Sequence, residues 1–180
     1  MQEIPRIPGL YRTFLEKTLD SIERMDSETG TLSRLIDEAR AVHIFGFGRS
    51  GTAALAMAIR LRHFLAPERQ VFWLGDGVRD PIRKDDLVIL FSGSGTREEV
   101  LHFLRKAEGT GAHCVAVTGS PGSALARGAR LTIVLPSIGS EVCYGGGDFE
   151  LAAWTFQEVF LTMYGRSRAV PDGKITFNHV

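Results

Sequence analysis

Cysteine is nearly absent: 180 residues contain two, Cys114 and Cys143, with no Cys-x-x-Cys spacing and no nearby histidine pair. A disulfide framework and a zinc site therefore have no support, and no metal is expected. Cys143 lies in a glycine-rich loop, which gives it a position for a nucleophilic thiol but no partner spacing to go with it. Excess charge of either sign is also missing, since 21 basic residues face 21 acidic ones. No stretch is rich enough in Lys and Arg for a nucleic-acid footprint. No apolar run approaches the ~20 residues of a membrane span. Met1-Gln2-Glu3-Ile4-Pro5 has neither the basic start nor the apolar stretch of a signal peptide. The expectation is a cytoplasmic chain with no membrane partner. Internal repeats and low-complexity segments are absent too, and 44% hydrophobic residues over this length suit one core, so residues 1–180 are expected to form one domain.

What is present is a sequence of strands and helices in alternation. Leu10, Phe14, Leu15, Leu19, Ile22 and Met25 follow a helical period with charges opposite, which predicts an amphipathic helix over 10–25. Asp26-Ser27-Glu28-Thr29-Gly30 reads as a break, and Leu32, Leu35, Ile36 and Ala39 as a second, shorter helix. These two helices (10–40) precede an α/β core over 41–164. Apolar runs at 42–46, 70–74, 87–91, 114–117 and 131–135 read as five buried strands, with helices at 50–65, 97–108 and 123–127 between them. Asp148 stands where an N-cap would precede a last helix running to Tyr164, and 165–180 reads as an extended arm. The pattern predicts a three-layer, doubly wound α/β fold with a parallel sheet and helices on both faces. The helix over 50–65 is apolar nearly all round, and its alanines permit close helix contact, which predicts burial partly against a second copy of the chain.

Two strands end in unusual turns. Gly46-Phe47-Gly48-Arg49-Ser50-Gly51 and Ser92-Gly93-Ser94-Gly95-Thr96 each join a strand to a helix. Such turns leave unpartnered N–H groups at a helix N-terminus and so favour an anion, most often phosphate. In an open parallel sheet both would lie at the strands' carboxyl ends and form one pocket for one monophosphate. The first turn also satisfies Gly-x-Gly-x-x-Gly, with Asp76 after the next strand in the place of a ribose-binding acid, so a dinucleotide-dependent oxidoreductase remains a competing reading. Ser50 and the hydroxyls of the second turn point to the monophosphate.

These turns, together with Arg60-Leu61-Arg62-His63, Gly75-Asp76, the run from Pro81 to Ile89 and Gly147-Asp148-Phe149-Glu150, resemble the sugar isomerase (SIS) domain, and within it the 6-phospho-3-hexuloisomerases. The resemblance spans residues 10–164. It implies a five-stranded parallel sheet of the flavodoxin-like, Rossmann-like kind, a homotetramer built from dimers, no cofactor, and a sugar phosphate bound by Ser50, Ser92 and Ser94. It also implies a phosphosugar isomerase, aldose-ketose or ketose-ketose, working through an enediolate. Three departures stand out. Thr96 and Arg97 replace the family's Glu-Thr, so a cation stands where a hydroxyl is usual. Gly77-Val78-Arg79-Asp80 replaces a Thr-rich stretch, and Phe177-Asn178-His179-Val180 does not match the usual ending.

The chemistry needs a base beside the carbonyl and a polarising group on its oxygen, and a carboxylate suits the first role. The resemblance assigns Glu150, although an acid in a first helical turn also merely complements the dipole. His63, in the matching Arg-Leu-Arg-His segment, is the candidate polariser if the pocket lies between subunits; a structural histidine is the competing reading. His179 is a further outsider on the tail. Gly48, Arg49, Ser50 and Gly51 from the first turn, with Ser92, Gly93, Ser94, Gly95, Thr96 and Arg97 from the second, make up the expected substrate-binding set. A protein that senses sugar phosphates without turnover is the alternative.

Overall fold

The computed structural model describes residues 7–137, 142–143 and 147–177. Two helices come first, α1 (Ile7–Glu23) and α2 (Asp26–Glu38). β1 (Ala41–Gly46), α3 (Gly48–Leu65), β2 (Gln70–Trp73), β3 (Leu87–Phe91), α4 (Glu98–Thr110), β4 (His113–Thr118), α5 (Ala124–Gly128) and β5 (Leu131–Val134) build the sheet and its crossovers. α6 (Asp148–Ser167) and α7 (Asp172–Phe177) close the described chain.

All five strands are parallel, in the order β2-β1-β3-β4-β5. Successive residues point to opposite faces of a strand. Leu87, Ile89 and Phe91 accordingly join the larger core with α1, α2, α3 and α6, while Val88 and Leu90 join a second core with α4 and α5. Because both faces are covered, β3 is apolar at every position and fully buried, as a strand inside an α/β sandwich must be. The chain runs outward in one direction from β1 and in the other from β3, so the order reverses between these two strands.

Four local readings need correction. Residues 26–30 are the opening turns of α2, not a break: Asp26 and Glu28 suit its positive end, and buried Thr29 returns its hydroxyl to the Met25 carbonyl at 2.9 Å. On α1, Phe14 and Ile22 are buried, whereas Leu10 and Leu19 are 39% and 42% exposed. Asp148 is not the N-cap of α6 but its first residue, the cap position being Gly147. The tail is no extended arm. α6 continues to Ser167, and α7 follows, where Lys174 pairs with Glu68 at 2.7 Å and Ile175 packs on the core. His179 lies outside the described residues.

Two polar clusters tie the layers together. Buried Asp86, just ahead of β3, accepts from the Arg83 N–H at 2.8 Å and faces Arg40 at 2.8 Å and His43 Nε2 at 3.0 Å. Burial lowers the His43 pKa more than the hydrogen bond and charge of Asp86 raise it. Farther out, Asp37 of α2 accepts from Tyr164 of α6 at 2.7 Å and from Arg168.

Candidate active site

Sheet register brings the two glycine turns together. Gly46, the last residue of β1, pairs with Phe91, the last of β3. The chain therefore leaves neighbouring strands side by side at Phe47 and Ser92, at the switch point where open α/β sheets take their ligands. α3 begins one residue beyond Phe47 and α4 begins at Glu98, so two helix N-termini flank one crevice.

Between them lies a cavity of about 390 Å³. Gly48, Arg49 and Ser50 form one wall, and Ser92, Gly93 and Ser94 the other. Arg97 and Glu150 add the ionisable groups, while Phe47, Phe91 and Val100 supply the apolar surface. The space suits a ligand of a few polar carbons with one anionic end.

Backbone shape is set by close contacts at two glycines. A Cβ on Gly51 would lie 2.6 Å from the Gly46 carbonyl oxygen, so only glycine lets α3 start this close to β1. Gly95 has φ +63° and a Cβ there would meet Ser123 Oγ at 2.1 Å. The second turn is knitted further by Ser92 Oγ, which accepts from the Gly95 N–H at 3.1 Å, and by Thr118 Oγ1, which donates to the Gly93 carbonyl at 3.2 Å. Ser94 Oγ accepts from Thr96 Oγ1 at 3.1 Å.

Glu150 arrives from a hundred residues away because α6 packs along α3. The hydroxyl of Ser50, itself 8% exposed, donates to Glu150 Oε1 at 2.7 Å. The start of α6 is held by Asp148, 1% exposed, whose Oδ1 accepts from the Cys143 N–H at 2.9 Å. The Arg49 guanidinium lies against Gly147, where a Cβ would come within 2.5 Å of its nitrogens. Tyr11 of α1 reaches the same corner. Its hydrogen bond with Cys143, then the charges of Cys143 and Asp148, raise its pKa above the usual phenol value.

Of the expected set, Gly48, Arg49, Ser50, Ser92, Gly93, Ser94, Arg97 and Glu150 meet in this cavity. Gly51, Gly95 and Thr96 shape the turns without lining it. His63 is elsewhere: it is buried in the last turn of α3, thirteen residues beyond Ser50, which is about 20 Å along a helix. Cys143 is 7% exposed and does not line the cavity, nor does Asp76, which is exposed past the end of β2. Sequence reasoning missed Phe47, Phe91 and Val100, although Phe47 lies within the first glycine turn and Phe91 directly precedes the second. Among the described residues no cluster of three His, Cys, Asp or Glu side chains is placed to hold a metal ion, and no helix is long and apolar enough to cross a membrane.

A parallel sheet whose neighbouring strands β1 and β3 end in hydroxyl-bearing glycine turns, with a carboxylate hydrogen-bonded to one of them, defines an open α/β domain with a polar cavity at its switch point. The sequence profile of the SIS domain matches residues 35–144, and the chain belongs to that family. It is 31% identical over 157 residues to the 3-hexulose-6-phosphate isomerase of Methanocaldococcus jannaschii, covering 86% of this chain and 85% of that one. A protein of the same name from Mycobacterium gastri is 31% identical over 158 residues, covering 83% and 78%. Among solved structures, a Methanococcus jannaschii protein with an inferred function of 3-hexulose-6-phosphate isomerase superposes with a TM-score of 0.86 at 25% identity, over 94% of this chain and 97% of that one. These relatives favour the phosphosugar reading of the glycine turns over the dinucleotide one.

Proposed function

We propose that this chain is a phosphosugar isomerase that interconverts 3-hexulose 6-phosphate and 2-hexulose 6-phosphate through an enediolate. The observation that carries the reading is the Ser50–Glu150 hydrogen bond, which sets a carboxylate at the edge of a cradle suited to phosphate. In this reading the phosphate sits on the N–H groups at the start of α3 and the hydroxyls of Ser50, Ser92 and Ser94, with Arg97 and Arg49 balancing its charge. Glu150 removes the proton from C2 and delivers it to C3, while the hydroxyl proton on O2 passes to the oxygen at C3 as the carbonyl moves. Electrons and atoms balance with no added reagent.

His63 is the proposed polariser of the carbonyl, and within one chain it is too far away. It acts in this scheme only from a neighbouring copy, so we propose a dimer or tetramer. The apolar side chains Leu55, Ile59 and Trp154, 37%, 50% and 41% exposed on α3 and α6, are the surface that a neighbour would cover. The working place is the cytoplasm, where the phosphate's charge retains the sugar.

The test pairs a steady-state assay on 3-hexulose 6-phosphate with calorimetric binding of the same compound. Turnover is the expected result. Saturable binding with no conversion would make the chain a sugar-phosphate sensor, and neither binding nor turnover would overturn the assignment.

A further inference from the structure

A second cavity, of about 380 Å³, lies between the segment after β2 and the flank of α4, and shares no lining residue with the candidate active site. Its chemistry is different. Leu74, Ile82 and Phe103 provide an apolar floor, and Arg79, His102 and Lys106 bring basic groups to it, against one carboxylate, Asp80. In a chain whose basic and acidic residues cancel at 21 each, Arg79 and Lys106 against Asp80 are a local excess of positive charge. His102 and Lys106 are four apart on α4 and so share a face. Neither side chain makes a hydrogen bond or ion pair among the described residues. Across from them the Arg79 guanidinium stands 5.8 Å from the centre of the Phe103 ring, and is held in place by the Asp76 carbonyl.

We infer that this cavity is a binding site for a flat heteroaromatic ring carrying a phosphate, the chemistry of a nucleoside monophosphate. An apolar floor beside a stacked guanidinium receives the face of a ring. The Lys106 ammonium receives the phosphate, with the His102 ring beside it as a further hydrogen-bonding group. A hexulose phosphate fits it less well, because it has no flat ring to lay on the apolar floor of Leu74, Ile82 and Phe103. The active-site cavity, lined by three serines, has the opposite character.

The cavity carries its own reporter. The Phe103 ring meets Phe45 edge-on at 4.6 Å, and Phe45 lies 5.6 Å from Trp73. Trp154, the other tryptophan, is exposed on α6, so Trp154→Phe leaves Trp73 as the single emitter.

The experiment titrates that variant with adenosine 5′-monophosphate, adenosine and inorganic phosphate in separate arms, following Trp73 emission and confirming occupancy by equilibrium dialysis. The monophosphate is expected to saturate with a Kd of about 0.1–1 mM, and each of the other two to bind at least ~10-fold more weakly. Lys106→Glu and Arg79→Ala are each expected to raise the Kd by about 10-fold, the first by removing a charge-assisted contact to the phosphate and the second by removing the guanidinium beside which the ring lies. Excess 2-hexulose 6-phosphate should leave the Kd unchanged within about twofold, because it belongs in the other cavity. Absence of saturable binding by dialysis would overturn the inference. So would displacement by the sugar phosphate, equal affinity for adenosine, or unchanged affinity in both variants. None of these outcomes bears on whether the chain is an isomerase.

Discussion

Replacing Ser50 with alanine is the sharpest probe of how the cradle and the carboxylate are linked. The serine hydroxyl has one proton to donate, and in the free protein Glu150 Oε1 holds it at 2.7 Å. A bound phosphate competes for that same proton. In the proposed scheme, when it wins, Glu150 loses its donor and faces the sugar unencumbered, so binding the phosphate and freeing the base are one event. A hydrogen bond to a charged acceptor is worth about 1.5–3 kcal/mol, which corresponds to a factor of ~10–150. Ser50→Ala should therefore lower kcat/KM for the isomerisation by about 10- to 150-fold, most of it as a rise in KM, because the phosphate is remote from the reacting carbons. Folding should be nearly unaffected. Ser50 is in the first turn of α3, where alanine is a good helix former, and the change removes one oxygen atom from the edge of an existing cavity. Steady-state kinetics on both proteins, with a thermal melt to verify the fold, decides it. A variant that melts with the wild type and keeps kcat/KM within about twofold would refute the reasoning.

Two further predictions concern pH. Burial alone would raise the Asp37 pKa, but the hydrogen bonds from Arg168 and Tyr164 and the charges of Arg168 and Arg69 outweigh it and hold the carboxyl below its ordinary value. A depressed carboxylate stabilises the fold above its unfolded pKa of about 4 and loses that contribution as pH falls through the folded value. Asp37→Asn should lower the thermal midpoint at neutral pH, with the gap from wild type closing as the pH is taken below about 4. His43 works in the opposite chemical sense: burial favours its neutral form, so the unfolded chain binds the proton more readily, and stability falls as pH drops below the unfolded value of about 6.5. His43→Gln should show a smaller loss of midpoint between pH 7 and pH 5 than wild type, measured by the same melts. An equal loss in both proteins would remove His43 as the cause.

The strands were readable because they are short apolar runs bounded by glycine and charge, and a sheet covered on both faces leaves little room for any other pattern. Both anion-seeking turns were readable for the same reason, since each begins where an apolar run stops. The errors lie where distant contacts decide. Asp26 to Gly30 has turn composition, yet packing on buried Thr29 and the dipole of α2 make it helical. Nothing local in 165–177 signals a helix, and what orders it is the ion pair to Glu68 and the contact of Ile175 with the core. Within the site, eight of the twelve expected residues meet in one cavity. His63 does not, because an eighteen-residue helix puts its two ends on different sides of the molecule and adjacency of motifs along the chain says nothing of that. The Ser50–Glu150 hydrogen bond joins elements a hundred positions apart, and only the packing of α6 on α3 reveals it.

The central claim is that Glu150 moves a proton between neighbouring carbons of a phosphorylated hexulose. Conversion of 3-hexulose 6-phosphate in deuterated water, followed by NMR for wild type and Glu150→Gln, tests it most directly. Wild type should yield 2-hexulose 6-phosphate with the substrate's C2 hydrogen moved to C3, replaced by deuterium to the extent that the Glu150 carboxyl exchanges with water, and the variant should bind the substrate but convert it ~100- to 10,000-fold more slowly. A variant that converts within about twofold of the wild-type rate would contradict it.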